Sequence, residues 1–359
     1  MPRMRAARHA LGSACLLAVL FLAVGCGGGS DAESTTGAAA RDLPAPPASD
    51  FPSAAKRTLR QVIKATDRHS ELIVTPAAKV FDAGPNRYPF GVFEREGGEV
   101  EDAEVALYYA RVPQPKPGAR SKSGNRGQIA KAQAQALNNP AVGPFPARVE
   151  RLGSKPHFEA RSTAEDPDAA GVVYSVNLDF PHDGEWRVAA VIRRDGETEA
   201  KILPSAVAGE FSRVPRVGQR APLIHTPTAK DVGGDLSKIT TRVPPDTLNR
   251  VDYAEALGRE PIVLLFATPK FCQSRVCGPV VDEAQQAQSE FGDKAAFIHM
   301  EIYNDNDPAE HPRPQVRAFH LPSEPWLFAI DRRGRISAVI EGAFGLDLLR
   351  SAVERAIGR

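Results

Sequence analysis

Cysteine is scarce in this chain: 359 residues hold four, at Cys15, Cys26, Cys272 and Cys277. Two of them lie in or beside the N-terminal apolar segment, so the body carries one pair, which excludes a scaffold stapled by many bridges. Neither sign of charge dominates. Forty-five Lys and Arg face 44 Asp and Glu, for a formal net charge of +1, and without a basic face nucleic acid is excluded as a partner. Long apolar runs are missing beyond residue 25, where no segment approaches the eighteen residues of a membrane span. Residues 53–213 also lack a catalytic constellation: His69, His157 and His182 stand apart, as surface histidines do.

What is present begins at the N-terminus. Arg3, Arg5 and Arg8 precede an apolar stretch over 10–24, too short to span a bilayer comfortably, so residues 1–25 read as a secretory signal. Its end, Leu22-Ala23-Val24-Gly25-Cys26, resembles the bacterial lipoprotein signal, although Ala23 stands where leucine is commoner. That resemblance implies lipidation of Cys26 and a body held at the extracytoplasmic face of the cell membrane. An ordinary cleaved signal with an incidental cysteine is the alternative. Residues 26–52, rich in Gly, Ser, Ala and Pro, read as a flexible tether. Enough chain remains for two domains.

Residues 53–213 open with a helical pattern over 54–65. Strand-like runs follow at 72–74, 88–93, 105–112, 172–178 and 186–192, separated by turn clusters such as Asp82-Ala83-Gly84-Pro85-Asn86. Short strands without intervening βαβ units predict an all-β antiparallel sandwich. Gly184-Glu185-Trp186-Arg187-Val188 resembles a late strand of immunoglobulin-like domains on bacterial surface proteins. The insert at 113–146, with Lys116, Arg120, Lys122, Arg126 and Lys131, reads as a solvated loop with a helix over 128–137; contact with anionic headgroups is the alternative.

From residue 214 to 359 strands and helices alternate, the pattern of an α/β sheet. Pro261-Ile262-Val263-Leu264-Leu265-Phe266 reads as a buried strand, and apolar residues at 280, 281, 284, 287 and 291 predict a helix from Pro279 to a stop at Gly292. Cys272 and Cys277 fall between them, where helix amides favour a thiolate and Lys270 and Arg275 add positive charge. On a continuous helix their Cα atoms would stand roughly 8–9 Å apart. A bond between them therefore requires a non-helical loop, which Gly278-Pro279 allows by delaying the helix. The pair is either a structural disulfide or a redox couple.

Three marks in order resemble the thioredoxin superfamily, in particular its extracytoplasmic TlpA/ResA-like branch. They are Val217-Gly218-Gln219-Arg220-Ala221-Pro222, the cysteines after a strand ending Phe266-Ala267, and Pro325 opening a strand that runs into Ile330-Asp331-Arg332-Arg333-Gly334-Arg335-Ile336. The resemblance implies an α/β thioredoxin-like domain without cofactor or metal and a cis Pro325 facing the cysteines. Pro325 and Trp326 would then border the groove for protein thiols or disulfides. The family spacing is Cys-x-x-Cys, whereas four residues intervene here. Cys277-Gly278-Pro279-Val280 matches Cys-Gly-Pro-Cys with Val280 in the last place; counting from Phe266 instead puts Cys272 first. Both alignments stay open.

Two other families share parts of the pattern. Peroxiredoxins can place two cysteines at this spacing, but Thr268 precedes Cys272 by four residues rather than three, and their activating arginine would fall at Pro325. SCO-type copper proteins add a distant histidine, which would fall near Ser323; His311 and His320 lie upstream. A scaffold or binding lipoprotein with a structural disulfide is the non-enzymatic alternative.

Overall fold

The computed structural model describes residues 42–114 and 125–359. The expected signal, Cys15, the expected lipidation site Cys26 and Lys116, Arg120 and Lys122 lie outside the described residues. Along the chain come α1 (Leu59–Ile63), β1 (Arg68–His69), β2 (Ile73–Pro76), β3 (Gly84–Phe93), β4 (Glu104–Arg111), α2 (Asn125–Ala136), β5 (Val142–Pro146) and β6 (Arg148–Arg151). Then follow α3 (Arg161–Ala164), β7 (Val172–Phe180), β8 (Gly184–Arg194), β9 (Glu197–Ile202), β10 (Ala206–Ala208), α4 (Tyr253–Ala256), β11 (Ile262–Phe266) and α5 (Cys277–Phe291). The last elements are β12 (Ala296–Met300), α6 (Pro314–Ala318), β13 (Trp326–Ile330), β14 (Ile336–Glu341) and α7 (Leu346–Ile357). No helix among the described residues is long and apolar enough to cross a membrane.

The first half forms two sheets, ordered β1-β9-β8-β4-β5 with β10 on β8, and β2-β3-β7-β6. All pairings but β1 on β9 are antiparallel. Val105, Leu107 and Tyr109 of β4 meet Tyr88, Tyr174 and Phe180 in one core, so the sheets pack face to face. The alternate residues Ala106, Tyr108 and Ala110 are buried too, under Leu59 and Val62 of α1. That explains the nearly continuous apolar run of β4. A capping box, Thr58 with Gln61, fixes the start of α1.

The structure departs from expectation in two places here. Residues 42–52, read as tether, are fixed to the sandwich: Leu43 and Val149 exchange backbone hydrogen bonds of 2.9 and 3.0 Å, and Phe51 is buried. Residues 142–151, read partly as loop, supply β5 and β6, which lie at the edges of different sheets. Edge positions tolerate proline, and Gly143, Pro144 and Pro146 hide the strand signal.

The second half builds a sheet ordered β12-β11-β13-β14, with β12 parallel and β13 antiparallel to β11 and β14 antiparallel to β13. Strand alternation sorts its faces. Val263, Leu265, Leu327 and Ile340 meet α5 and α7, whereas Ile262, Phe266, Trp326 and Phe328 pack with Tyr253 and Phe319. This is the thioredoxin-like arrangement that the sequence resemblance implied. The expected Asp331–Gly334 hairpin is present, with Gly334 at φ +74°.

The described residues fall in one compact unit. Leu152 and Val173 of the sandwich share the core beneath α5 and α7. Glu341 at the end of β14 accepts the amides of Lys79 and Val80, both at 2.9 Å. A Cβ on Gly342 would stand 2.3 Å from the Ala77 carbonyl oxygen, so only glycine allows this approach.

Candidate thiol–disulfide site

β11 is five consecutive buried aliphatic and aromatic residues. Its chain continues through Ala267, whose amide donates to Met300 (3.1 Å), into a loop braced by Lys270 N–H to Thr241 Oγ1 (3.1 Å). The loop stays non-helical until Cys277, the first residue of α5. The helix thus begins two residues before the expected Pro279. Proline fits inside the first turn because amides there have no intrahelical acceptor. Gly292 ends the helix, as expected.

Cys272 and Cys277 form a disulfide with Cα atoms 5.9 Å apart, inside the range that a bridge allows. Arg275, within this ring, holds φ +58°, a left-handed conformation uncommon for a side chain of its size. Ser274 Oγ lies 3.4 Å from Cys272 Sγ and donates to it, since a disulfide sulfur has no proton to give. The cationic surroundings differ from expectation. Arg275 pairs with Asp166 at 3.2 Å, and Lys270 sits over the Phe271 ring, 5.3 Å from its centroid. Both sulfurs are covered: Cys272 is 4% exposed and Cys277 0%.

The Glu324-Pro325 peptide is cis, as the resemblance implied. Extending the β11–β13 register, in which Phe266 faces Trp326, puts Pro325 opposite Ala267 at the root of the cysteine loop. Trp326 does not border a groove. It is 2% exposed and stacks on Phe328, because strand alternation turns it to the sheet face opposite Cys272 and Cys277. Its Nε1–H donates to Ser323 Oγ (3.1 Å), at the position where a copper-type histidine would fall. His320 lies against Arg213, 3.1 Å away.

Buried charges missed by the sequence reading flank the site. His299 of β12 places Nδ1 2.9 Å from Asp246 and Nε2 3.1 Å from the Ala267 carbonyl oxygen. A carbonyl only accepts, and the carboxylate does too, so both ring nitrogens carry protons and the imidazole is cationic. Burial opposes that charge, yet Asp246 and the Ala267 carbonyl hold His299 above its ordinary value. Burial likewise works against the Asp246 carboxylate, but His299, Thr240 and the Leu248 amide bring it down to about 2.

On α5, Asp282 meets Arg242 at 2.7 Å. Its neighbour Glu283 is fully buried, accepts the Gly153 amide at 2.9 Å and leaves Oε2 without a partner. Burial, with Glu150, Asp42 and Asp282 adding to it, drives the Glu283 carboxyl well above the usual range. The spacing carried a signal for it, since Glu283 falls three residues after Val280 and four before Ala287, on the buried stripe.

These groups set a pH dependence. Unfolded Glu titrates near ~4.3, so above that value ionisation opposes folding until pH passes the raised native value. His299 acts in the same sense: its contribution is complete below its unfolded value of ~6.5 and is lost as pH rises through the folded one. Asp246, being lowered, contributes above ~3.9 and loses that as pH falls toward 2. The urea midpoint is therefore expected to fall between pH 5 and pH 8, and Glu283→Gln to flatten that decline. A midpoint that rises over this range, or a variant with the wild-type slope, contradicts the assignment.

No family model matches the sequence, and no curated protein does. Solved structures similar to it include a thiol:disulfide interchange protein of the thioredoxin family from Chlorobium tepidum TLS, 17% identical. That match covers 40% of this chain and 98% of the other, with a TM-score of 0.29. A putative DsbE thiol:disulfide interchange protein from Chlorobium tepidum is 18% identical over 40% and 99% of the two chains, TM-score 0.27. A thioredoxin-like superfamily protein matches 30% of this chain and 86% of its own at 18% identity, TM-score 0.24.

Proposed function

We propose that this chain is a lipid-anchored, extracytoplasmic, thioredoxin-like protein that exchanges thiols and disulfides through Cys272 and Cys277. In this reading Cys26 carries the lipid, residues 53–213 are an immunoglobulin-like sandwich, and residues 214–359 are the redox domain. One observation carries the exchange reading: a disulfide that closes onto the first residue of a 15-residue helix, after a strand whose neighbour begins just beyond a cis proline.

The chemistry follows from that placement. Reduced Cys277 sits where the helix dipole and free amides stabilise a thiolate. The thiolate attacks one sulfur of a partner disulfide and releases the other as a partner thiolate, leaving a mixed disulfide. Cys272 then attacks Cys277, closing the internal bond and freeing the second partner thiol, so two electrons and two protons pass to the partner. The oxidised pair runs the same steps in reverse.

The burial of both sulfurs favours a second reading, in which the bond is structural and the chain is a scaffold or binding lipoprotein. Insulin reduction in the presence of a dithiol separates the two. Turnover above background that is lost in Cys272→Ser and in Cys277→Ser supports exchange; a wild type no faster than either variant supports the scaffold.

A further inference from the structure

One segment of the sandwich touches both α5 and the cysteine ring. Between β6 and β7, residues 152–171, which include α3, leave the sandwich and return, their ends joined by Leu152 N–H to Gly171 O at 2.8 Å. The body of this loop lies across α5 and the cysteine ring. Three α5 side chains accept its backbone amides: Glu283 from Gly153 (2.9 Å), Gln286 from Lys155 (2.7 Å) and Asp282 from Ala160 (3.1 Å). Its far limb reaches the ring itself. Ala170 N–H donates to the Arg275 carbonyl (3.2 Å), and Asp166 pairs with the Arg275 guanidinium (3.2 Å). Thr163 closes the corner beside Cys277, so near that a Cβ on Gly278 would stand 2.9 Å from its Oγ1.

The way the loop is held differs from the way the core is held. From 153 to 170 only Ala160, Thr163 and Ala170 are buried. Hydrogen bonds, among them one from the Arg242 guanidinium to the Phe158 carbonyl (2.6 Å) and a backbone bond from Ser162 to Val243 (3.0 Å), and one partly exposed ion pair seat it, with little apolar surface of its own beneath. Segments of that kind open locally at a small fraction of the free energy of global unfolding. The sheet under it, with every residue of β11 buried, does not.

We propose that residues 153–170 are a lid over the Cys272–Cys277 disulfide, and that the pair reacts only while the lid is lifted. The inference rests on the exchange reading above. The lid also contacts the bond's own ring through Arg275, so the covalent state and the lid are linked: reduction frees the ring that presents the Arg275 carbonyl to Ala170, and the reduced protein opens more readily.

A small dithiol tests this without a protein partner. Dithiothreitol gives two electrons and two protons to Cys272–Cys277 and becomes its own cyclic disulfide. Reduction of the full chain is followed by alkylation quench over a range of dithiothreitol, beside amide hydrogen exchange in the oxidised protein. The expected result is a rate that levels off as dithiothreitol increases, set by lid opening, with the amides of Gly153, Lys155, Ala160 and Ala170 exchanging together and well ahead of those of β11. Asp166→Ala, which removes a lid contact at the surface, is expected to speed reduction roughly 2- to 5-fold with an unchanged melting temperature. Reduction linear in dithiothreitol, at the rate of an exposed disulfide and unaltered by Asp166→Ala, overturns the lid. So does protection of the Ala170 amide equal to that of β11, because the segment would then open only when the whole protein unfolds. If gated reduction is seen but insulin is not turned over, the lid stands and the exchange reading falls.

Discussion

Asp246→Ala is expected to destabilise the protein by about 3–5 kcal/mol, the range for removing one partner of a buried ion pair. Asp246 and His299 are both inaccessible to solvent, and the substitution leaves a buried ring whose charge burial opposes, with the Ala267 carbonyl as its remaining hydrogen-bond partner. Thr240 Oγ1 (2.8 Å) and the Leu248 amide (3.0 Å) lose their acceptor as well. Against a total stability of about 5–15 kcal/mol, this is a large share. The penalty comes from polar groups left buried without a partner rather than from the lost attraction alone, so Asp246→Ala combined with His299→Ala is expected to cost clearly less than the sum of the single changes. Urea denaturation at pH 6 reads the cycle. Additive single and double effects would show that the two side chains do not act as a pair.

The second large effect concerns the division of labour between the cysteines. Cys277 is the first residue of α5, whereas Cys272 lies in the loop before it. An ordinary thiol titrates near ~8.5, and helix N-termini lower this to as little as ~3.5–7.5, so Cys277 is the sulfur expected to ionise near neutrality. Cys272→Ser is therefore expected to abolish turnover and to accumulate a stable mixed disulfide on Cys277 when offered a protein disulfide. Cys277→Ser loses turnover too but accumulates little of it. Iodoacetamide kinetics against pH, on each single-cysteine variant, gives the two thiol values independently. If Cys272 ionises first, or if the adduct forms only on Cys272, the roles are reversed.

Local signals in the sequence specify local elements. The apolar run 262–266, the stripe from Val280 to Phe291 and the stop at Gly292 describe β11 and α5 almost to the residue, and they set the cysteines between them. Strand-like runs at 172–178 and 186–192 likewise marked β7 and β8. Other features escaped it because long-range contacts create them. Residues 42–52 look like linker but pair with Val149, more than a hundred positions away. Trp326 reads as a groove aromatic until the register shows which face of β13 it occupies. Asp246 and His299 are 53 residues apart, and nothing near either one announces the other. The lid is the extreme case, since its sequence is polar and loop-like and partners distant in sequence, among them Arg242, Arg275, Asp282, Glu283 and Gln286, give it a fixed seat.

The central claim is that Cys272–Cys277 is a working bond rather than a permanent clasp. Equilibration in a glutathione redox series, followed by acid quench and thiol trapping, measures its reduction potential directly. The account predicts a potential above about −300 mV, in the range of bonds that biological thiols can open. A value well below that would mark a structural disulfide and contradict the exchange function.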